Sequence, residues 1–204
     1  YVGTDPNTDH EILEGKSTKY EDLGNFYNTR TTRAKSLFPH TNSFKIFRHG
    51  SEVIKDDPEF RRLRGRVDLV FTSPPYFAKE AYSEDPTQSY KKFSGYEAWV
   101  EGFLRPTLET SVEWLKPNRY LLWNIADAKF GKDMLTLEKD SSDILESLGM
   151  KYVETLKMTL AQMPGGNRID ADTGKPKSKN FCKITSEKGK DLWLKYEPIF
   201  VWKK

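Results

Sequence analysis

The apolar positions of this chain change period several times, and each change marks an element. Val67, Leu69, Val70 and Phe71 form a run broken only by Asp68, the pattern of a buried parallel strand. Two prolines follow at once, in Ser73-Pro74-Pro75-Tyr76. They remove two backbone donors and push each preceding residue to extended geometry, so the strand runs into a stiff loop. Residues 77–93 read as a long polar loop. From Tyr96 the period becomes helical, with Trp99, Val100, Phe103, Leu104, Leu108, Val112 and Leu115 on one face. Ser94 and Glu97 have capping-box spacing, Pro106 predicts a kink, and Pro117 predicts the stop. Residues 119–127 predict a strand. Asp140–Leu148 predicts a helix closed by Gly149, followed by strands over 151–160 and 195–203. Upstream, Tyr1–Asn7 reads as a strand end and turn. A helix is expected around Tyr20–Tyr27, a short strand within 43–51, and partial helix over 52–64.

Strand, helix, strand, helix, strand in this order predicts an α/β sheet with helices on its faces. Ligands in such sheets sit beyond the carboxyl ends of the strands. Asp5, Ser51, Ser73 and Asp127 all follow predicted strands, so they can share one rim. The 204 residues suit one domain with a sizeable insertion. The natural candidate is 161–192, rich in Gly, Lys and Asn. Formal net charge is only +3. From Gly165 to Lys204, however, ten Lys or Arg stand against five Asp or Glu, which leaves the remainder of the chain net negative. A single cysteine, Cys182, excludes an intrachain disulfide, and no Cys/His cluster has metal-ligand spacing, so no metal is expected. A reducing, cytoplasmic setting and no membrane association are expected.

The chemistry of the proline loop is specific. Ser73 offers a hydroxyl and Pro74 a carbonyl, two acceptors for one amino group. An exocyclic base amine has its lone pair delocalised into the ring. Two acceptors gripping its hydrogens favour a tetrahedral nitrogen and free that lone pair. Tyr76 offers a flat face for a base to stack on, worth roughly 1–3 kcal/mol in single-strand binders. A base in a duplex must first be flipped out.

Thr72-Ser73-Pro74-Pro75-Tyr76 resembles the catalytic motif of the amino-directed DNA methyltransferases, which methylate cytosine N4 or adenine N6. The resemblance implies a Rossmann-like S-adenosylmethionine-dependent methyltransferase sheet, α/β with helices on both faces and an antiparallel last strand, here "YEPIFVWKK". It implies one catalytic domain over 1–204, with Ser73, Pro74, Pro75 and Tyr76 as catalytic residues. Tyr1–Asn7 resembles the family's second strand, so Asp5 and Pro6 are implied to hold the cofactor ribose. His49-Gly50-Ser51 resembles the turn beside the cofactor adenine, which places Gly50 and Ser51 there; this chain has Ser51 where the family often has an acid. The family's first strand and glycine-rich cofactor loop do not occur in this chain, and "MPGGN" at 163–167 lacks its order. An upstream segment or a partner chain is expected to supply them.

DNA is the implied partner, with a prokaryotic or phage origin. The basic insertion brings Arg168, Lys175, Lys177 and Lys179 as candidate phosphate contacts; the bland alternative is a solvated loop. Asn124 and Asp127 either touch substrate or cap a strand end, and His49 reads as structural. Ser73 preceded by Thr72 leans toward cytosine N4, with adenine N6 as the alternative. RNA or protein amino-methylation and a non-catalytic remnant are also compatible with these residues.

Overall fold

A computed structural model describes residues 2–4, 45–47, 49–79, 86–160, 169–170, 172–177, 179–185, 189 and 191–204. Asp5, Pro6, Arg168 and the helix expected around Tyr20–Tyr27 lie outside these residues.

In chain order come β1 (Val2–Thr4), β2 (Lys45–Phe47), a 3-10 turn at Ile54–Asp56 and α1 (Pro58–Arg61). Then follow β3 (Val67–Thr72), a 3-10 turn at Phe77–Lys79, α2 (Ser89–Lys92), α3 (Tyr96–Trp99), a π-helical turn at Val100–Leu104 and α4 (Arg105–Trp114). β4 (Leu115–Asn124), β5 (Ala128–Phe130), β6 (Asp133–Leu135), α5 (Leu137–Ser147), β7 (Lys151–Thr159), β8 (Phe181–Thr185) and β9 (Asp191–Lys203) complete the chain.

The main sheet runs β3-β4-β9-β7, with β8 paired to β9. β3 and β4 are parallel. β9 is antiparallel to β4, β7 and β8, so the last strand has the expected sense and the sheet is mostly antiparallel. β1 and β2 form a separate parallel pair, and β5 and β6 a small hairpin.

Alternation decides which face holds the core. Leu121, Trp123 and Trp202 point to one face, where they meet Trp99, Leu104 and Leu108 from the long helix and Leu137, Ile144 and Leu145 from α5. Burying a side chain of this size contributes roughly 1.5–3 kcal/mol. Trp123 is wholly buried and still satisfies its indole N–H, which donates to Ser141 Oγ at 3.0 Å. On the opposite face Leu69 and Phe71 are 53% and 59% exposed. The near-continuous apolar run of β3 is therefore buried on one face only.

Three local expectations change. The helix begins at Tyr96 behind Gly95 (φ +90°), with no side-chain cap, so Ser94 and Glu97 form no capping box. Pro106, where the sequence predicts a kink, follows the π-helical turn, and the helix runs on to Trp114. Its ring would strike the carbonyl of residue 102, and that residue lies in the π turn, where the widened backbone gives room. The helix ends at Trp114, and Pro117 lies inside β4, in the stretch where the β3–β4 register shifts. Lys204 Nζ donates to the Val112 and Leu115 carbonyls, both at 2.7 Å, and so closes the end of α4. Gly149 (φ +79°) ends the following helix as expected, its N–H donating to the Glu146 carbonyl.

Candidate active site

β3 and β4 pair in parallel up to Thr72↔Trp123, so Ser73 leaves the sheet at its carboxyl end beside Asn124, the last residue of β4. Ser73 is exposed, Pro74 buried, and Pro75 and Tyr76 half-buried. Among the described residues no hydrogen bond engages the Ser73 hydroxyl or the Pro74 carbonyl. Tyr76 lies against the core, and its carbonyl accepts from Lys79 N at 3.1 Å.

What fixes this loop is Phe77, which sequence reasoning missed. Its φ is +53°, a left-handed conformation costly for a bulky residue. The ring is only 7% exposed. It makes edge contacts to Tyr96, Trp99 and Phe130 at centroid distances of 5.9, 5.8 and 5.5 Å. Burial of that ring offsets the strained backbone. Tyr96 is itself fixed, its hydroxyl donating to Asp140 Oδ2 at 2.5 Å. Burial first, and then that carboxylate, push the Tyr96 phenol well above its ordinary range.

The neighbouring strand end is structural. Asn124 Nδ2 donates to the Pro198 carbonyl at 3.0 Å and ties β4 to β9. Asp127 Oδ1 accepts from Glu138 N at 3.0 Å, while Glu138 Oε1 accepts from Asp127 N at 3.0 Å. This reciprocal pair caps α5. Both side chains are thus engaged within the fold.

At the third-strand turn, Gly50 is buried, and Ser51 Oγ lies 2.9 Å from Thr107 Oγ1. The residue sequence reasoning overlooked here is Glu52, whose side chain is 3% exposed and paired with Lys92. Its carboxylate packs directly against Gly50, where it occupies the space a Cβ would need. His49 is exposed, 3.4 Å from Asp57, which fits its structural reading. Two backbone N–H groups, that of Phe60 first, hold the Asp57 carboxyl below its usual range.

Of the candidate phosphate contacts, Lys175 and Lys177 are exposed on a turn. Lys179 is not available in the same sense. Its Nζ lies 2.6 Å from Asp127 Oδ2 and 3.5 Å from Glu138 Oε1. The hydrogen bond to Asp127 raises its pKa above the ordinary lysine value.

A family model described as DNA methylase, of the N6/N4 type, matches residues 67–204, from the first residue of β3 through the proline loop to the end of β9. The chain belongs to the DNA methylase family. Among solved structures, a candidate DNA modification methylase from Thermus thermophilus, complexed with S-adenosyl-L-methionine, is 19% identical with a TM-score of 0.44, covering 76% of this chain and 54% of that one. Its selenomethionine derivative is 18% identical with a TM-score of 0.43, covering 76% of this chain and 50% of that one. The present chain thus spans about half the length of that protein. No curated protein matches the sequence. No described helix is long and apolar enough to cross a membrane.

Proposed function

We propose that this chain carries the catalytic loop of an S-adenosylmethionine-dependent DNA methyltransferase that methylates an exocyclic base amine, cytosine N4 in particular. The observation that carries the reading is the Ser73–Tyr76 loop. It stands at the carboxyl end of a parallel strand, with the Ser73 hydroxyl exposed and the turn behind it locked by Phe77. Ser73 Oγ and the Pro74 carbonyl accept the two amine hydrogens and draw the nitrogen toward a tetrahedral geometry. Tyr76 stacks on the flipped base. When bound, S-adenosylmethionine supplies an electrophilic methyl group. No strong base is required, because methylation leaves the nitrogen cationic and its acidic proton then passes to water.

The residues at the third-strand turn fit an adenosine group. Gly50 gives the Glu52 carboxylate room against the backbone, and Glu52, next to Ser51, supplies a buried carboxylate of the kind the resemblance implies at this turn. Gly50, Ser51 and Glu52 would hold the adenine, and Asp5 with Pro6 the ribose. A glycine-rich segment from outside residues 1–204, or from a partner chain, would complete the cofactor site. It would also cover β3, whose outer edge is unpaired among the described residues and whose Leu69 and Phe71 are exposed.

Ser73 in place of an acid favours cytosine, since a neutral hydroxyl grips the amine without setting a charge beside the ring carbonyl. The test is mass spectrometry of nucleosides digested from DNA treated with the full-length protein and S-adenosylmethionine. N4-methylcytosine is expected. N6-methyladenine alone would overturn the base assignment. Unmodified DNA together with methylated RNA or protein would overturn the substrate.

A further inference from the structure

β8 and the first residues of β9 form an antiparallel hairpin from Phe181↔Lys195 to Thr185↔Asp191. β9 joins the main sheet only from Tyr196 onward, where it meets Thr159 of β7. The steps from Tyr196 back to Asp191 carry the hairpin on the order of 15 Å past the sheet, at about 3.4 Å per residue. The end it leaves is the one that carries Ser73, because β9 runs antiparallel to β4 and β4 parallel to β3. β9 lies two strands from β3, about 10 Å away at ordinary strand spacing. That is roughly the reach from a flipped base to the phosphates beside it.

The arm is tied at three places. At its base, Lys179 bridges Asp127 and Glu138, the pair that caps α5. Higher up, the Trp193 indole donates to the Gly174 carbonyl at 3.0 Å. The turn it holds is itself built: Asp170 Oδ1 accepts from Asp172 N, Thr173 N and Thr173 Oγ1, Ile169 bridges Pro176, and Gly174 takes φ +62°. Alongside, Tyr196 N donates to the Asn180 carbonyl and Leu160 N to the Lys195 carbonyl. The turn presents Lys175 and Lys177, and the hairpin presents Lys195. All three are exposed, and none has an ion pair among the described residues. Lys179 differs because two carboxylates surround its one cation, so it adds nothing to the positive field an approaching phosphate meets.

We infer that the described residues of the 169–195 arm form a preformed grip for the phosphate backbone of duplex DNA beside the target base, with Lys175, Lys177 and Lys195 as the phosphate contacts and Lys179 as the positioning residue that fixes the arm to the catalytic rim. This rests on the DNA-methylating reading above. Lys179 thereby leaves the set of phosphate ligands, and Lys195 enters it.

The experiment uses the full-length protein and a fluorescein-labelled mixed-sequence duplex, with affinity measured against salt. Replacing Lys175, Lys177 and Lys195 together by Ala should lower the log–log salt slope by about two to three, roughly one per lost phosphate contact. Triple replacement by Arg should restore it. Lys179→Met should leave the slope unchanged, yet slow methyl transfer to DNA about tenfold through misplacement of the arm. Lys179→Arg should recover that rate. An unchanged slope in the triple Ala variant would overturn the grip, and a slope lowered by about one in Lys179→Met would overturn the positioning role. A wild-type protein that methylates DNA while the triple variant keeps its slope sinks only this inference. A wild-type protein that binds S-adenosylmethionine but neither binds nor methylates DNA sinks the reading beneath it.

Discussion

Two segments leave the same rim of the sheet and are held there by different physics. The Ser73–Tyr76 loop is anchored by burial: Pro74 is inside, and Phe77 sits in a cage of three aromatic rings. The 169–195 arm is anchored by polar ties, chiefly Lys179 to Asp127 and Trp193 to Gly174, and its Lys175, Lys177 and Lys195 are exposed. Burial is indifferent to ionic strength, whereas solvated charge is screened within about 10 Å at 0.1 M salt. On the proposed reading, that difference suits the first segment to geometry-critical chemistry and the second to a salt-tunable hold on DNA.

The largest effect should come from emptying the aromatic cage. Phe77→Ala removes a buried ring and should cost about 3–5 kcal/mol of stability. Denaturant melts should show the loss, and methyl transfer should fall with it. A melt midpoint unchanged from wild type would mean that the loop is not held by burial, and the contrast with the arm would collapse.

Next in size is Tyr76. Loss of a stacking face costs roughly 1–3 kcal/mol, so Tyr76→Ala should slow methyl transfer by about 5- to 150-fold. Tyr76→Phe and Tyr76→Trp should keep most of the rate, and cofactor affinity measured by calorimetry should hardly move. Equal losses in the Phe and Ala variants would assign the role to the hydroxyl instead.

The same contrast explains what could be read from sequence. β3, the proline loop and the two main helices were legible because their signals are local: an apolar run, adjacent prolines, a 3.6-residue period. Phe77 was not, since its left-handed backbone is stabilised by Tyr96, Trp99 and Phe130, all distant in sequence. Glu52 looked like one more charge in a polar stretch, and only Lys92, forty residues on, allows it to be buried. β8 carries no local strand signal, because its partner begins only at Asp191 and its surroundings are rich in Lys and Gly. Lys179 reads as one more exposed cation, because the carboxylates that pair with it lie after β4 and on α5. Residues whose role is set by distant partners carry no local signature.

A smaller effect belongs to the arm. Trp193→Phe keeps a ring but removes the N–H that holds Gly174, a bond worth about 0.5–1.5 kcal/mol. Global stability should fall by less than that, because the turn can open without disturbing the core. Hydrogen exchange across 169–177 should accelerate, while exchange in β3 and β4 stays at the wild-type rate. Accelerated exchange in both regions would mean that the arm and the sheet form one cooperative unit.

The smallest effect is a pH dependence with a defined sign. The Lys179 pKa is raised, first by its hydrogen bond to Asp127, so the ammonium is favoured in the folded arm. A group with a raised folded pKa contributes stability that is fully present below its unfolded value, about 10.4 for lysine, and is lost as pH rises through the folded value. The Lys179 tie should therefore be constant from about pH 7 to pH 9 and weaken only above about pH 10. Exchange across the arm, corrected for its intrinsic pH dependence, should be flat through the neutral range in wild type and uniformly faster in Lys179→Met. Because the ammonium is largely exposed, the difference should stay at the few-fold level of a surface ion pair. A step in protection near neutral pH would show that a different group holds the arm to the rim.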